Sequence, residues 1–243
     1  MAELDQNIKH HFGDFSIVIP VAPGDDAWRS LLPDLASLSG AEVIFAATHE
    51  VATADRVIIL AALDSESWSW LVAPRGRARQ LNSGTRAASR DYLWFLHADS
   101  RFAPDTVPAL HAALRAAPDA LHYFDLAFLP DGPRMMSLNA LGVRIRSRWL
   151  GMPFGDQGLC IRRATFDALG GFDETAIYGE DHLFVWRVRR AGIALRRTGG
   201  TLLTSARRYV DRGWLRTTLG HVWLTARQAF PEWLALVRQG KGE

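Results

Sequence analysis

Cysteine is almost absent from this 243-residue chain: Cys160 stands alone. That excludes an intramolecular disulfide, and nothing asks for an oxidising compartment. No apolar run approaches the roughly 18 residues of a spanning helix. The opening Met1-Ala2-Glu3-Leu4-Asp5-Gln6 lacks the basic-then-apolar order of a secretory leader. These absences lead us to expect a cytoplasmic protein, soluble or peripheral, with association to a membrane surface left open. An excess of one charge is missing too, since the formal net charge of +2 is too small to argue for a nucleic-acid partner. Repeats and low-complexity linkers are also lacking. The first β-branched run leads into Pro20-Val21-Ala22-Pro23-Gly24 rather than a Gly-x-Gly-x-x-Gly turn, which sets a dinucleotide-binding oxidoreductase last.

What is present is an ordinary globular balance, 48% apolar and 22% charged, in a chain long enough to bury a full core. Phe15-Ser16-Ile17-Val18-Ile19-Pro20 reads as a buried strand. Trp28 to Leu38 places Trp28, Leu31, Leu32, Leu35 and Leu38 at helical spacing and stops before Gly40. Glu42 to Ala47 supplies a second strand, Arg56 to Leu63 fits strand or helix, and Ser69 to Ala73 reads as the next strand. Residues 76–90 predict a helix leading into the run Tyr92-Leu93-Trp94-Phe95-Leu96. Repeated strand–helix steps with short connections predict an α/β fold, a mainly parallel Rossmann-like sheet flanked by helices. Its ligand crevice lies outside the carboxyl ends of the strands.

In the second half, helices are expected at about 105–117 and 135–150, a candidate strand at 123–129, and a helix from Glu180 to about Ala191. Gly155-Asp156-Gln157-Gly158 opens a strand at Leu159-Cys160-Ile161. A helical tail carries Trp214, Trp223 and Trp233. A change of role near residue 210 divides a main domain, 1–210, from a C-terminal extension, 211–243. That extension could pack on the domain, pair two subunits in a homodimer or lie on a bilayer. Packing is the default for its tryptophans.

Several residues could carry chemistry, each with a plainer alternative. Asp99 ends a hydrophobic strand, where a carboxylate is expensive unless it binds a cation or several donors; it could equally cap a turn. Glu180 and Asp181 open a helix, where a carboxylate is stabilised; one could be a cap and one a base for an alcohol. Arg75, Arg77 and Arg79 could grip a diphosphate, with Asn82 reaching the same ligand, or form a solvated helix face. Asp156 and Gln157 sit between glycines that let backbone approach a ligand, although a tight turn would look the same.

Together these segments resemble the family 2 glycosyltransferases. The residues that carry the likeness are Phe15 to Pro20, Pro74 to Gly84, Phe95 to Ser100, Phe154 to Gly158, Leu169 to Phe172 and Gly179-Glu180-Asp181, in that order. Thr204-Ser205-Ala206-Arg207-Arg208 looks like the phrase closing the domain in a bacterial subgroup. The resemblance implies a GT-A fold and an inverting, metal-dependent, hexosyltransferase-like enzyme. Its substrates would be a nucleotide-diphosphate sugar, a UDP-sugar first, and an acceptor hydroxyl on a lipid or glycan. Asp181 then matches the base, with Glu180 beside it, and Asp99 the acid that holds Mg²⁺ or Mn²⁺. Arg75, Arg77, Asn82, Asp99 and Asp25 fall on the donor side, and Asp156, Gln157 and His182 on the acceptor or sugar side. The chain departs from the family at three places: Ala22-Pro23-Gly24-Asp25-Asp26 replaces an Asn-Glu pair, Ala47 stands where a base-recognising Asp falls, and His97 replaces the first acid of Asp-x-Asp. Asp25, His49 or Glu50 could substitute. The alternative these departures support is a degenerate relative kept as a binding or assembly module.

Overall fold

The computed structural model describes residues 10–239. The leader read for a targeting signal, Met1 to Gln6, and the last four residues of the 211–243 extension lie outside them. The strands of the main sheet are β1 (Phe15–Val21), β2 (Glu42–Ala47), β3 (Trp68–Val72), β4 (Tyr92–Phe95), β5 (Ser100–Phe102), β6 (Leu121–Phe128), β7 (Cys160–Arg162) and β8 (Leu195–Thr204). The helices are α1 (Trp28–Ala36), α2 (Thr53–Ala62), α3 (Arg77–Ala87), α4 (Thr106–Ala116), α5 (Met136–Arg148), α6 (Arg163–Ala168), α7 (Glu180–Arg190), α8 (Arg207–Arg212) and α9 (Trp214–Gln239). The segment around Arg56–Leu63 is therefore helical. Residue 210 lies inside α8.

The sheet runs β3-β2-β1-β4-β7-β6-β8-β5. β1 pairs parallel with both β2 and β4, β2 with β3, and β6 with β8. The exceptions are β7, antiparallel to β4 and β6, and β5, antiparallel to β8. The expected mainly parallel sheet is thus present, with β7 joining its halves. Alternate side chains enter the cores on the two faces of the sheet, which is why the first strands read as nearly continuous apolar runs. Ile17, Ile19, Val43, Phe45 and Trp94 fill the core under α1, α2 and α4, whereas Val18, Ile44, Leu93 and Phe95 fill the core under α3, α6 and α7. α3 lies close on the sheet because residue 84 is glycine; a Cβ there would sit 2.4 Å from Val18 Cγ1.

This topology gathers the site at one edge. The carboxyl ends of β1 to β4, β6 and β8 point the same way, and the turn before antiparallel β7 opens on that edge too.

Candidate active site

Four segments meet at that edge: the start of α3, the loop after β4, the 3-10 turn Gly155–Gln157 and the first turn of α7. Arg77 ties them together. Its Nη1 lies 3.1 Å from Glu180 Oε1 and 3.7 Å from Asp181 Oδ2, and its Nη2 donates to His97 Nε2. Asp181 Oδ2 accepts from the Gly155 N–H at 2.5 Å, and Oδ1 accepts from the His182 N–H at 2.9 Å. Gly155 is the floor of this cluster, since a Cβ there would meet Arg77 Nη2 at 2.5 Å and Asp181 Oδ2 at 2.8 Å. Gly179, at φ 64°, turns the chain into α7, a conformation that side chains rarely adopt.

The two adjacent acids are driven apart. Burial opposes ionisation of Asp181, but Arg77 and the Gly155 and His182 N–H groups outweigh it and hold its pKa below the usual carboxylate range. Burial raises Glu180, and Arg77 only partly offsets it; its Oε1 has the ion pair but no hydrogen bond. One charged and one reluctant carboxylate side by side is how sites divide proton-transfer roles. His97 is pushed well below its ordinary pKa, by burial first and Arg77 next. It is therefore a neutral acceptor for the guanidinium.

The acceptor-side candidates lie beside this pair. Gln157 is fully engaged: Oε1 accepts from Phe154 N and Arg146 Nη2, both at 3.2 Å, and Nε2 donates to Phe124 O at 2.8 Å. Asp156 is less satisfied. Its Oδ1 has no hydrogen bond and lies 4.0 Å from Arg146 Nη2, and burial raises its pKa against the pull of Arg146. Arg146, from α5, stacks 3.3 Å over the Phe154 ring. Sequence reasoning missed it, because within a basic helix nothing marks the one arginine that turns inward. His182 accepts from Trp186 Nε1 on Nε2 and bonds Gln228 Oε1 through Nδ1, each at 2.8 Å. Burial lowers its pKa, so it is a neutral link between α7 and α9.

Donor-side candidates separate into two groups. Asp25 accepts from Arg207 Nη2 at 2.9 Å, joining the loop after β1 to the start of α8. Asp99 is half-buried in the field of Arg208 and Arg207; burial raises its pKa more than those cations and its own backbone N–H lower it. Among the described residues no group of three His, Cys, Asp or Glu side chains could hold a metal. A Mg²⁺ or Mn²⁺ ion here would rest on one under-compensated carboxylate, Asp99, and would need its other ligands from substrate oxygens and water. Arg75 and Arg79 are exposed. Asn82 turns away from the cluster: its amide donates to Phe172 O at 2.8 Å and Glu174 Oε1 at 3.0 Å, and accepts from Phe172 N at 2.9 Å. A residue the sequence did not single out, buried Gln80, donates to Val21 O and Ala46 O at 2.8 and 2.7 Å. It pins the ends of β1 and β2 where the crevice begins. His49 and Glu50 are exposed just beyond β2.

The glycosyl transferase family 2 model matches residues 71–170. No curated protein matches the chain. Among solved structures, S. aureus TarS has a TM-score of 0.58 at 16% identity, covering 79% of this chain and 37% of that one. S. aureus TarS 1-349 in complex with UDP-GlcNAc gives 0.58 at 14%, covering 79% and 58%; its complex with UDP gives 0.59 at 14%, covering 79% and 60%. The chain thus spans less than two thirds of each of these, and at such identities the likeness is one of fold, here of the GT-A type. Glu180 and Asp181 lie beyond the matched segment, but Arg77, His97, Asp99, Gly155 and Asp156 all lie within residues 71–170, the part of the chain that carries the glycosyl transferase family 2 pattern.

Proposed function

We propose that the chain is an inverting glycosyltransferase that moves a sugar from a nucleotide-diphosphate donor to an acceptor hydroxyl. The observation that carries this reading is the convergence on Arg77 of two acids with opposite pKa shifts, at the sheet edge where ligands bind in such folds. Asp181, ionised and fixed by two backbone N–H groups, takes the proton of the acceptor hydroxyl as its oxygen forms a bond to the anomeric carbon. The bond from that carbon to the diphosphate oxygen breaks on the opposite face, so configuration inverts. Arg77 supplies positive charge toward the departing diphosphate, an electrostatic task suited to a preorganised cation. Asp99 is the residue to hold Mg²⁺ or Mn²⁺, which when bound would neutralise diphosphate charge. The complexes of TarS with UDP and UDP-GlcNAc support a uridine donor as the first to test.

Ala47 favours a second reading, a binding module without turnover, because no carboxylate ends β2 to accept from a base N–H. A thermal-shift screen with UDP, GDP, dTDP and CDP, each with Mg²⁺ or Mn²⁺, separates these. A nucleotide at about 100 times its Kd should stabilise the fold by roughly 2.7 kcal/mol. The transferase reading expects a metal-dependent shift with one nucleotide, lost in Asp99→Ala, and release of that nucleotide from its sugar. Binding without release supports the module. No shift with any nucleotide in a cooperatively melting protein overturns the transferase.

A further inference from the structure

We propose that α5 and α9 form a docking face for an anionic lipid bilayer. α9 is 26 residues long and rich in tryptophan and leucine, yet none of its described side chains is fully buried. Its Leu219, Trp223 and Phe230 are more than half exposed, as are Leu138 and, at 83%, Trp149 on and just after α5. The two helices are joined through Asn139, whose amide donates to Thr218 Oγ1 at 3.1 Å and accepts from Trp214 Nε1 at 2.6 Å. A surface with this much unpartnered apolar area marks an interaction site.

Charge selects the occupant. α5 carries no acid, and of its three arginines Arg146 turns into the site and Arg148 pairs with Asp125, which leaves Arg144 for the face. The one acid of α9, Glu232, is already paired with Arg190 of α7. Exposed Arg144, Arg216, Arg227 and Arg238 make no ion pair among the described residues. A second copy meeting this face symmetrically would oppose arginines with arginines and bring no free acid from these helices. Lipid phosphates answer the same arginines, while tryptophan suits the headgroup level. Among the described residues no helix is long and apolar enough to cross a membrane, so the face lies on the bilayer. His182 next to Asp181 bonds Gln228 of α9, so docking sets the acidic pair near the lipid surface. The proposal does not depend on transferase activity.

The test is co-sedimentation of the full chain with vesicles of phosphatidylcholine alone and of phosphatidylcholine mixed with phosphatidylglycerol, together with sedimentation velocity without lipid. Binding to the mixed vesicles, weak on neutral ones and weakened by salt, is expected from a monomer. Replacing Arg144 and Arg216 with Gln should weaken it roughly thirtyfold, and Trp149→Ser with Trp223→Ser at least about tenfold. All four positions are exposed, and circular dichroism checks that each variant folds. Equal binding to both vesicle types, or binding that survives both double variants, overturns the proposal. So does a dimer that the tryptophan variant dissociates and that ignores vesicles, which would assign the face to a second copy.

Discussion

Gly155→Ala isolates the proposed catalytic geometry from the fold that carries it. The added methyl would lie 2.5 Å from Arg77 Nη2, 2.8 Å from Asp181 Oδ2 and 3.3 Å from Asp181 Cβ, where ordinary contact starts near 3.4 Å. The guanidinium ends a long side chain and can swing aside. Asp181 cannot follow so easily, because its short side chain leaves the first turn of α7 and both oxygens are held by backbone N–H groups. Its carboxylate must retreat by about 0.6 Å, the gap between 2.8 and 3.4 Å, stretching its bond to Gly155 N. Overpacking of this kind costs about 1–3 kcal/mol. In a domain of this size that lowers Tm by roughly 2–4 °C per kcal/mol. A misplacement approaching 1 Å costs about a hundredfold in turnover. Release of nucleotide from the sugar donor, followed beside a thermal melt, reads both effects. The control is Gly142→Ala in α5, where nothing lies within 4 Å of the new Cβ; it should be neutral or stabilise by up to about 1 kcal/mol. Equal turnover and Tm in Gly155→Ala and the wild type would refute the close-packed account of the site.

Asp181→Asn should lower turnover by about 10²- to 10⁴-fold and leave nucleotide binding in place; initial rates beside a binding isotherm check this, and retained turnover would put the base elsewhere. Asn82→Leu should cost roughly 2–5 kcal/mol in a urea titration, because it strips partners from both the N–H and the C=O of buried Phe172. A loss of nucleotide affinity with little loss of stability would instead return Asn82 to the donor side. For pH, the folded pKa values of His97 and His182 are depressed, so the unfolded chain binds their protons more readily. The contribution of these histidines is then full above about 6.5 and declines as pH falls below it, by up to about 1.4 kcal/mol per pH unit for each, while the raised carboxylates Glu180, Asp156 and Asp99 act in the opposite sense at lower pH. The depressed carboxylates Asp181 and Asp125 begin to add to the loss only below about 4. Urea midpoints between pH 7.5 and 5.5 should fall, and His97→Gln should flatten the slope; an unchanged slope would contradict a neutral buried His97.

The parts legible in the sequence were those whose signal is local. β1, β2 and β4 announce themselves because both faces of each strand are buried, so nearly every position is apolar whichever core it enters, Ser16 and Glu42 being the paired exceptions. The first turn of α7 was legible because Gly179 and two acids mark a helix start. The segment Arg56 to Leu63 fits strand or helix in sequence for a physical reason: only Ile59 on α2 is buried, so its apolar residues trace no clear stripe. The rest of the candidate site was legible where a motif coincides with a loop or helix start at the sheet edge, as at Arg77, His97, Asp99 and Asp156. Asn82 shares the motif and the helix with Arg77, yet one more turn of α3 carries it to Phe172 instead of the crevice. Arg146 comes from a segment read simply as a helix and Gln80 from a motif in which other residues drew attention, and their roles arise from partners 11 and 34 or more residues away. The same limit explains the nucleotide side. The missing acid at Ala47 suggested a damaged site, but the structure shows that the strand end itself is built, with Gln80 fastening Ala46 to Val21. That clamp satisfies two strand carbonyls and would serve the fold with or without a bound donor. The strand ends are therefore held in place whatever the donor, and the nucleotide screen decides between the two readings: a shift shows that a base is bound without a carboxylate at 47, and no shift with any nucleotide shows that it is not.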